Sequence, residues 1–358
     1  MSDGNPLVSV VMPTYNAEET IGKALDSLLR QTWTDWELVV VDDGSTDSTG
    51  DVIRRYDDRR IRLISFEQNM GNPEASNAGL REARGKYIVV MDSDDISFPE
   101  RIARQVAYLE AHCDIDGCGS GHVILTSSPL FDRVKSWIKR ARSRLVSAEE
   151  IACATLFGGE VYNPTMCFKR ELLSSIPVWR DPGFRSGSDD IFYNRLIAAG
   201  ARLVILPDVF LRYRRLRNSN SRRFRTAAWD NRARTALEAV HRLIPETTPE
   251  QERLHALVVH RDSALAPEHL PGIRDWFSLL VRTNREKQLF DEEALLRTMA
   301  HHWERACALA GCHDLQAGFS AYTSFPLLRP YMGSWLAFLY EWQKRKFGKK
   351  RGRKSDSR

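Results

Sequence analysis

The chain has 358 residues, 42% hydrophobic and 28% charged, with a formal net charge of +5. That length buries one large core and a second, smaller one. No apolar run approaches the ~20 residues that span a bilayer, and no signal peptide is read at the N-terminus, which argues against a membrane-embedded processive synthase and for a cytoplasmic chain.

The first predicted element is a strand over Leu7–Met12, ending in Pro13-Thr14-Tyr15-Asn16. Within 17–30, Ile21, Ala24, Leu25, Leu28 and Leu29 fall at helical spacing. Trp36–Val41 is a second apolar strand and runs into Asp42-Asp43-Gly44-Ser45-Thr46-Asp47. A helix around Asp51–Tyr56, a strand at Ile61–Ile64 and a helix across Glu74–Ala83 follow. Lys86–Val90 is then a buried strand that delivers Met91-Asp92-Ser93-Asp94-Asp95, with a further helix beginning near Pro99. Strands alternating with helices imply a parallel sheet with crossover helices. Ligands bind such sheets outside the carboxyl ends of the strands. Tyr15, Asp43, Asp92 and Asp94 all fall at that edge. Carboxylates there suit a hard divalent cation. A polar turn explains Asp92–Asp95 equally well alone, but not a second acidic strand end at Asp42–Asp43.

Farther along, 131–145 mixes Phe131, Val134, Trp137, Ile138 and Leu145 with Lys and Arg. It reads as a mobile lid, a membrane-facing loop or a solvated insertion. Ser188-Asp189-Asp190 opens a helix, with Ser188 as a fair N-cap. Residues from about 222 to 323 read as helices over 227–243, 249–261, 276–281 and 292–309. Apolar residues crowd 327–342, and 344–358 holds nine basic residues against Asp356. That pairing suits an interfacial helix on an anionic membrane surface, or else a packing helix with a solvated tail; nucleic-acid binding is the least favoured reading. The six cysteines show no C-x-x-C spacing, so they read as free thiols rather than as disulfide or zinc sites.

The four segments Val8–Asn16, Val40–Asp47, Asn69–Gly71 and Met91–Asp95, in this order, resemble family 2 glycosyltransferases over roughly residues 7–221. The resemblance implies an α/β GT-A (nucleotide-diphospho-sugar transferase) fold, a mostly parallel sheet flanked by helices, plus a C-terminal helical region. Its domains would be 1–221 (donor half 7–95, acceptor half 96–221), a helical region 222–343 and a basic tail 344–358. It implies inverting transfer of a sugar from a nucleotide diphosphate donor, UDP-sugar favoured, to a glycan or lipid-linked acceptor. Pro13, Thr14 and Tyr15 would line the base pocket and Asp43 would accept a base N–H. Asp94 and Asp92 would hold Mn²⁺ or Mg²⁺, with Asp92 also near ribose or donor sugar. Asp189 would be the general base, with Asp190 the runner-up. Three departures stand out: Ser76 where the family usually has Arg, Asn163 in place of the His of His-Pro-Thr, and Leu216 in place of a His. Arg215 or Arg217 would then serve the diphosphate. The competing readings are a catalytically silent nucleotide-sugar or glycan-binding module and, less well supported, a nucleotidyltransferase, which would need a Gly-rich loop after the first strand.

Overall fold

The computed structural model describes residues 6–126, 128–159, 161–177, 179–184, 187–215, 225–260, 265–334, 338–340, 342–343 and 346. Residues 1–151 with 160–228 form one compact unit, and 152–159 with 229–358 form another.

In the first unit, β1 (Val8–Thr14), β2 (Trp36–Asp42), β3 (Ile61–Ser65) and β4 (Tyr87–Val90) pair in parallel in the order β3-β2-β1-β4. The crossovers are α1 (Ile21–Leu29), α2 (Thr49–Arg54) and α3 (Asn72–Glu82). Every residue of β1, β2 and β4 is buried. Their unbroken Val, Leu and Ile runs are what a sheet covered on both faces requires. α3 lies so close to β1 that a Cβ on Gly79 would sit 2.5 Å from Val11 Cγ1. The register pairs Thr14 with Asp42, so β1 and β2 end level and release their loops at one edge.

The sheet then departs from the parallel pattern. It continues through β7 (Cys167–Lys169), β6 (Gly117–Ile124), β8 (Leu203–Tyr213) and β5 (Ile96–Ser97). β7 is antiparallel to both β4 and β6, β5 is antiparallel to β8, and β6 and β8 are parallel. The pairing of Ile96 with Arg212 draws the end of β8 alongside residues 94 and 95. Around this half lie α4 (Arg101–Ala111), α5 (Pro129–Arg142), α6 (Ala148–Ala154) and α7 (Ser188–Ala198).

The second unit is helical: α8 (Arg225–Leu243), α9 (Pro249–Val259), α10 (Leu270–Lys287), α11 (Glu292–Ala310) and α12 (Leu315–Thr323). α10 is far longer than the 276–281 expected, because Leu270, Ile273, Trp276, Phe277, Leu280, Val281 and Asn284 carry its buried face across about four turns. Leu328 and Phe338 are buried in this unit's core, and Leu327, Tyr331, Met332, Leu339 and Trp342 pack against it. These residues of 327–342 therefore pack on a helical core; Trp335, Leu336 and the tail apart from Lys346 lie outside the described residues. Among the described residues, no helix is long and apolar enough to cross a membrane.

Candidate active site

The loops leaving β1 and β2 are stitched together. Asn16, in the left-handed region at φ 47°, donates its backbone N–H to Ser45 Oγ at 2.9 Å, and its Oδ1 accepts the Thr46 N–H at 2.9 Å. The Ala17 N–H reaches Thr49 Oγ1 at 2.7 Å. Gly44 turns the second loop at φ 70°, where a Cβ would lie 2.5 Å from the Gln68 carbonyl carbon; only glycine fits. Pro13 and Thr14 are buried beneath this rim, Thr14 Oγ1 has no hydrogen-bond partner, and the Tyr15 side chain is 47% exposed above it.

Asp43 is buried and serves the next loop. Its Oδ1 accepts the Met70 N–H at 2.7 Å; its Oδ2 accepts Gly71 N–H at 2.9 Å and Asn69 Nδ2 at 3.0 Å. Burial raises its pKa, and the Met70 and Gly71 bonds pull it back. A carboxylate has about four acceptor positions, so one remains on Oδ1.

At the end of β4, Asp92, Asp94 and Asp95 bring carboxylate oxygens within 4.8 Å of one another, the one such group of metal-ligating type among the described residues. The Cys and His residues form none. Burial, joined by mutual repulsion, holds Asp92 and Asp95 well above the ordinary carboxylate value, and burial raises Asp94. Asp95 is fully buried; its Oδ1 accepts the Arg214 N–H at 2.9 Å, and its Oδ2 has no partner. Arg214 Nε also donates to the Asp94 carbonyl at 2.8 Å. Three crowded carboxylates with an orphaned oxygen and an all-oxygen donor set fit Mg²⁺ or Mn²⁺.

Two buried arginines temper this charge, and the sequence reading missed both. Arg101, fully buried in α4, donates to the Val90 carbonyl at 2.8 Å and to Gln105 Oε1 at 3.0 Å. Arg180 exchanges hydrogen bonds with Asn77, its N–H reaching Asn77 Oδ1 at 3.0 Å and its carbonyl taking Asn77 Nδ2 at 2.7 Å. Its Nη2 donates to Asn163 Oδ1, which also accepts the Tyr193 hydroxyl at 3.0 Å. Both guanidiniums lower the Asp92 pKa. The only sequence signal for Arg101 was its place shortly after the acidic loop, near the start of the helix expected from Pro99.

Asp189 and Asp190 lie in the first turn of α7, and the Asp189 charge reaches Asp92, pushing its pKa upward. The N-cap is Gly187, at φ 81°. Ser188 is thus already helical and buried, which corrects the expectation that it caps the helix. A further group was not foreseen: His122 stacks on Tyr162 at 4.1 Å between ring centres, and Tyr213 meets both edge-on. Burial, joined by the charges of Asp92 and Asp95, raises the pKa of both tyrosines. Ser76, the first departure, is buried and donates to Asn72 Oδ1 at 3.2 Å. Leu216 and Arg217 lie outside the described residues, and Arg215 is exposed.

The sequence profile described as glycosyl transferase family 2 matches residues 9–160. An uncharacterized glycosyltransferase of Methanocaldococcus jannaschii, MJ1057, is 30% identical over 213 residues, 58% of this chain and 71% of that protein. The UDP-Glc:alpha-D-GlcNAc-diphosphoundecaprenol beta-1,3-glucosyltransferase WfgD of Escherichia coli is 33% identical over 150 residues, 42% of this chain and 59% of its own. The chain spans about half the length of the first curated relatives it matches. Among solved structures, residues 1–349 of S. aureus TarS in complex with UDP-GlcNAc superpose with a TM-score of 0.57 at 17% identity, covering 90% of this chain and 91% of that one.

Proposed function

Because this chain belongs to glycosyl transferase family 2 and has the GT-A fold, we propose that it is an inverting, divalent-metal-dependent glycosyltransferase. Its donor is a nucleotide diphosphate sugar, UDP-sugar favoured, and its acceptor is a glycan or lipid-linked glycan of a surface polysaccharide. The observation that carries this reading is the convergence of Asp92, Asp94 and Asp95 at the end of β4, beside the rim built by Tyr15 and Asp43. UDP is favoured because Asp43 keeps one acceptor position on Oδ1, which matches a uracil N–H. The E. coli relative, whose name specifies UDP-Glc and a diphosphoundecaprenol acceptor, supports both choices.

Asp92 and Asp94 would hold the cation, which would supply positive charge against the diphosphate leaving group. Tyr15 offers its ring face to the base, and Asp43 orients the base edge. Arg101 and Arg180 stay out of the ligand shell and keep three adjacent carboxylates tolerable in the free enzyme. Asp189 takes the proton of the acceptor hydroxyl as its oxygen bonds the anomeric carbon; the electron pair of the broken C–O bond leaves with the nucleotide diphosphate. The test is calorimetric binding of UDP and GDP with and without Mn²⁺, together with the anomeric configuration of the product by NMR. Metal-enhanced UDP binding and an inverted product support the reading; retained configuration or metal-indifferent binding refutes it.

A further inference from the structure

Helix α5 is inside out. Asp132 is buried on the protein side and accepts the Thr126 hydroxyl at 2.7 Å. Lys139 Nζ donates to the His122 carbonyl at 2.6 Å, and Arg140 pairs with Asp208 at 3.1 Å. The side facing the sheet is therefore polar. The outward side carries Leu130, Phe131, Val134, Trp137 and Ile138, at i, i+1, i+4, i+7 and i+8, which form one helical stripe. Leu130 is 73% exposed and Trp137 70%. With Leu145, this segment holds six of the twelve exposed large apolar side chains among the described residues. A stripe of this kind marks a surface that another phase or molecule covers.

The charge identifies the cover. Residues 129–144 contain Arg133, Lys135, Lys139, Arg140, Arg142 and Arg144 against the single Asp132, a net +5, equal to the formal charge of the whole chain. Lys135 lies over the Phe131 ring at 4.4 Å, at the margin of the stripe. A second copy of the chain would bring two segments of net +5 together, which repel. A segment of net positive charge that turns an apolar stripe outward, with Lys135 at its margin, matches an anionic bilayer: the negative surface attracts the segment and the acyl boundary takes the side chains.

We propose that α5 docks this protein on an anionic lipid surface, with Leu130, Phe131, Val134, Trp137 and Ile138 inserted below the headgroups. The C-terminal basic tail is then not the principal anchor. This does not depend on the transferase reading, because binding is scored without turnover. The experiment is co-sedimentation of the full chain with phosphatidylglycerol-containing vesicles and with pure phosphatidylcholine vesicles. Wild type is compared with Leu130→Ser/Trp137→Ser and with a tail variant in which Lys349, Lys350, Arg351, Arg353 and Lys354 are each replaced by Gln. Circular dichroism melting checks folding of each variant. Binding that requires phosphatidylglycerol, weakens roughly tenfold or more in the Leu130/Trp137 variant and survives in the tail variant supports the proposal. Equal binding by the Leu130/Trp137 variant, loss confined to the tail variant, or no vesicle binding by wild type overturns it. So does a concentration-dependent dimer in sedimentation velocity that the Leu130/Trp137 variant abolishes, since the occupant would then be a second copy.

Discussion

The Asp43 carboxylate accepts the Met70 backbone N–H at 2.7 Å, tying the end of β2 to the loop that opens α3. Gly71 and Asn69 complete the clamp on the other oxygen. Asp43→Asn keeps the shape but turns an amide N–H₂ toward backbone donors. We expect a loss of about 1–3 kcal/mol in stability, the cost of leaving buried donors unpaired. Nucleotide affinity should fall about tenfold, since roughly 1.4 kcal/mol is tenfold. Thermal melts and UDP calorimetry check both; unchanged affinity would remove Asp43 from donor recognition.

The acidic cluster gives a pH signature. Asp92, Asp94 and Asp95 all have pKa values raised above the ordinary 3.8, chiefly by burial. The folded chain therefore holds more protons than the unfolded chain from about pH 4 upward to the raised values. Across that window these groups lower stability as pH rises. Asp95→Asn should become progressively more stable than wild type as pH increases in EDTA, and the difference should shrink when Mn²⁺ is added. A difference in melting temperature that stays constant with pH would contradict this.

Arg180 hydrogen-bonds Asn163 and Asn77, and its charge lowers the burial-raised pKa of Asp92. Arg180→Met leaves a buried carboxylate without that countercharge and should cost about 3–5 kcal/mol. Arg180→Lys keeps the charge without the planar fork and should recover only part of the loss. Denaturant midpoints for the two variants decide whether charge or geometry matters more.

Much of this site was legible from residue order alone. The strands ending at Asp42 and at Val90 were visible as unbroken Val and Ile runs, and each hands its carboxylates to the sheet edge. The pairing of Ile96 with Arg212 was not visible, because a two-residue antiparallel strand has too short a period to read; Arg214 was therefore missed beside Asp94 and Asp95. Arg101 and Arg180 belong to none of the motifs named from the sequence, and only tertiary packing shows that both are buried. Gly187 displaced Ser188 at the α7 N-cap because the loop arrives at φ 81°, a conformation glycine adopts freely. In α5, Phe131, Val134, Trp137 and Ile138 share an exposed face while Leu145 lies beyond the helix end at Arg142, and spacing alone does not say which face meets solvent.

The helical unit carries its own pH dependence. His255 Nε2 donates to the Leu156 carbonyl at 2.6 Å, and its Nδ1 accepts the Trp276 indole N–H at 3.0 Å. Burial pushes its pKa down to about 4 from 6.5. A depressed histidine contributes stability in full above pH 6.5 and loses it as pH falls toward 4. The contribution is of order 3 kcal/mol for one such group. His255→Phe should be less stable at neutral pH, with a shallower loss between pH 6.5 and 4. Melting temperatures across that range give the slopes; parallel slopes would contradict the assignment.

The most direct test of the central claim is the rate of sugar transfer from UDP- and GDP-sugars with Mn²⁺, for wild type, Asp94→Asn and Asp189→Asn. Wild type should turn over only when the metal is present. Asp189→Asn should bind nucleotide and metal normally yet transfer about 10²–10⁴-fold more slowly, the usual worth of a general base. Asp94→Asn should lose the metal-enhanced nucleotide binding as well as the rate. Full-rate transfer by Asp189→Asn, or tight metal-dependent nucleotide binding by Asp94→Asn, would contradict the roles assigned to these two carboxylates.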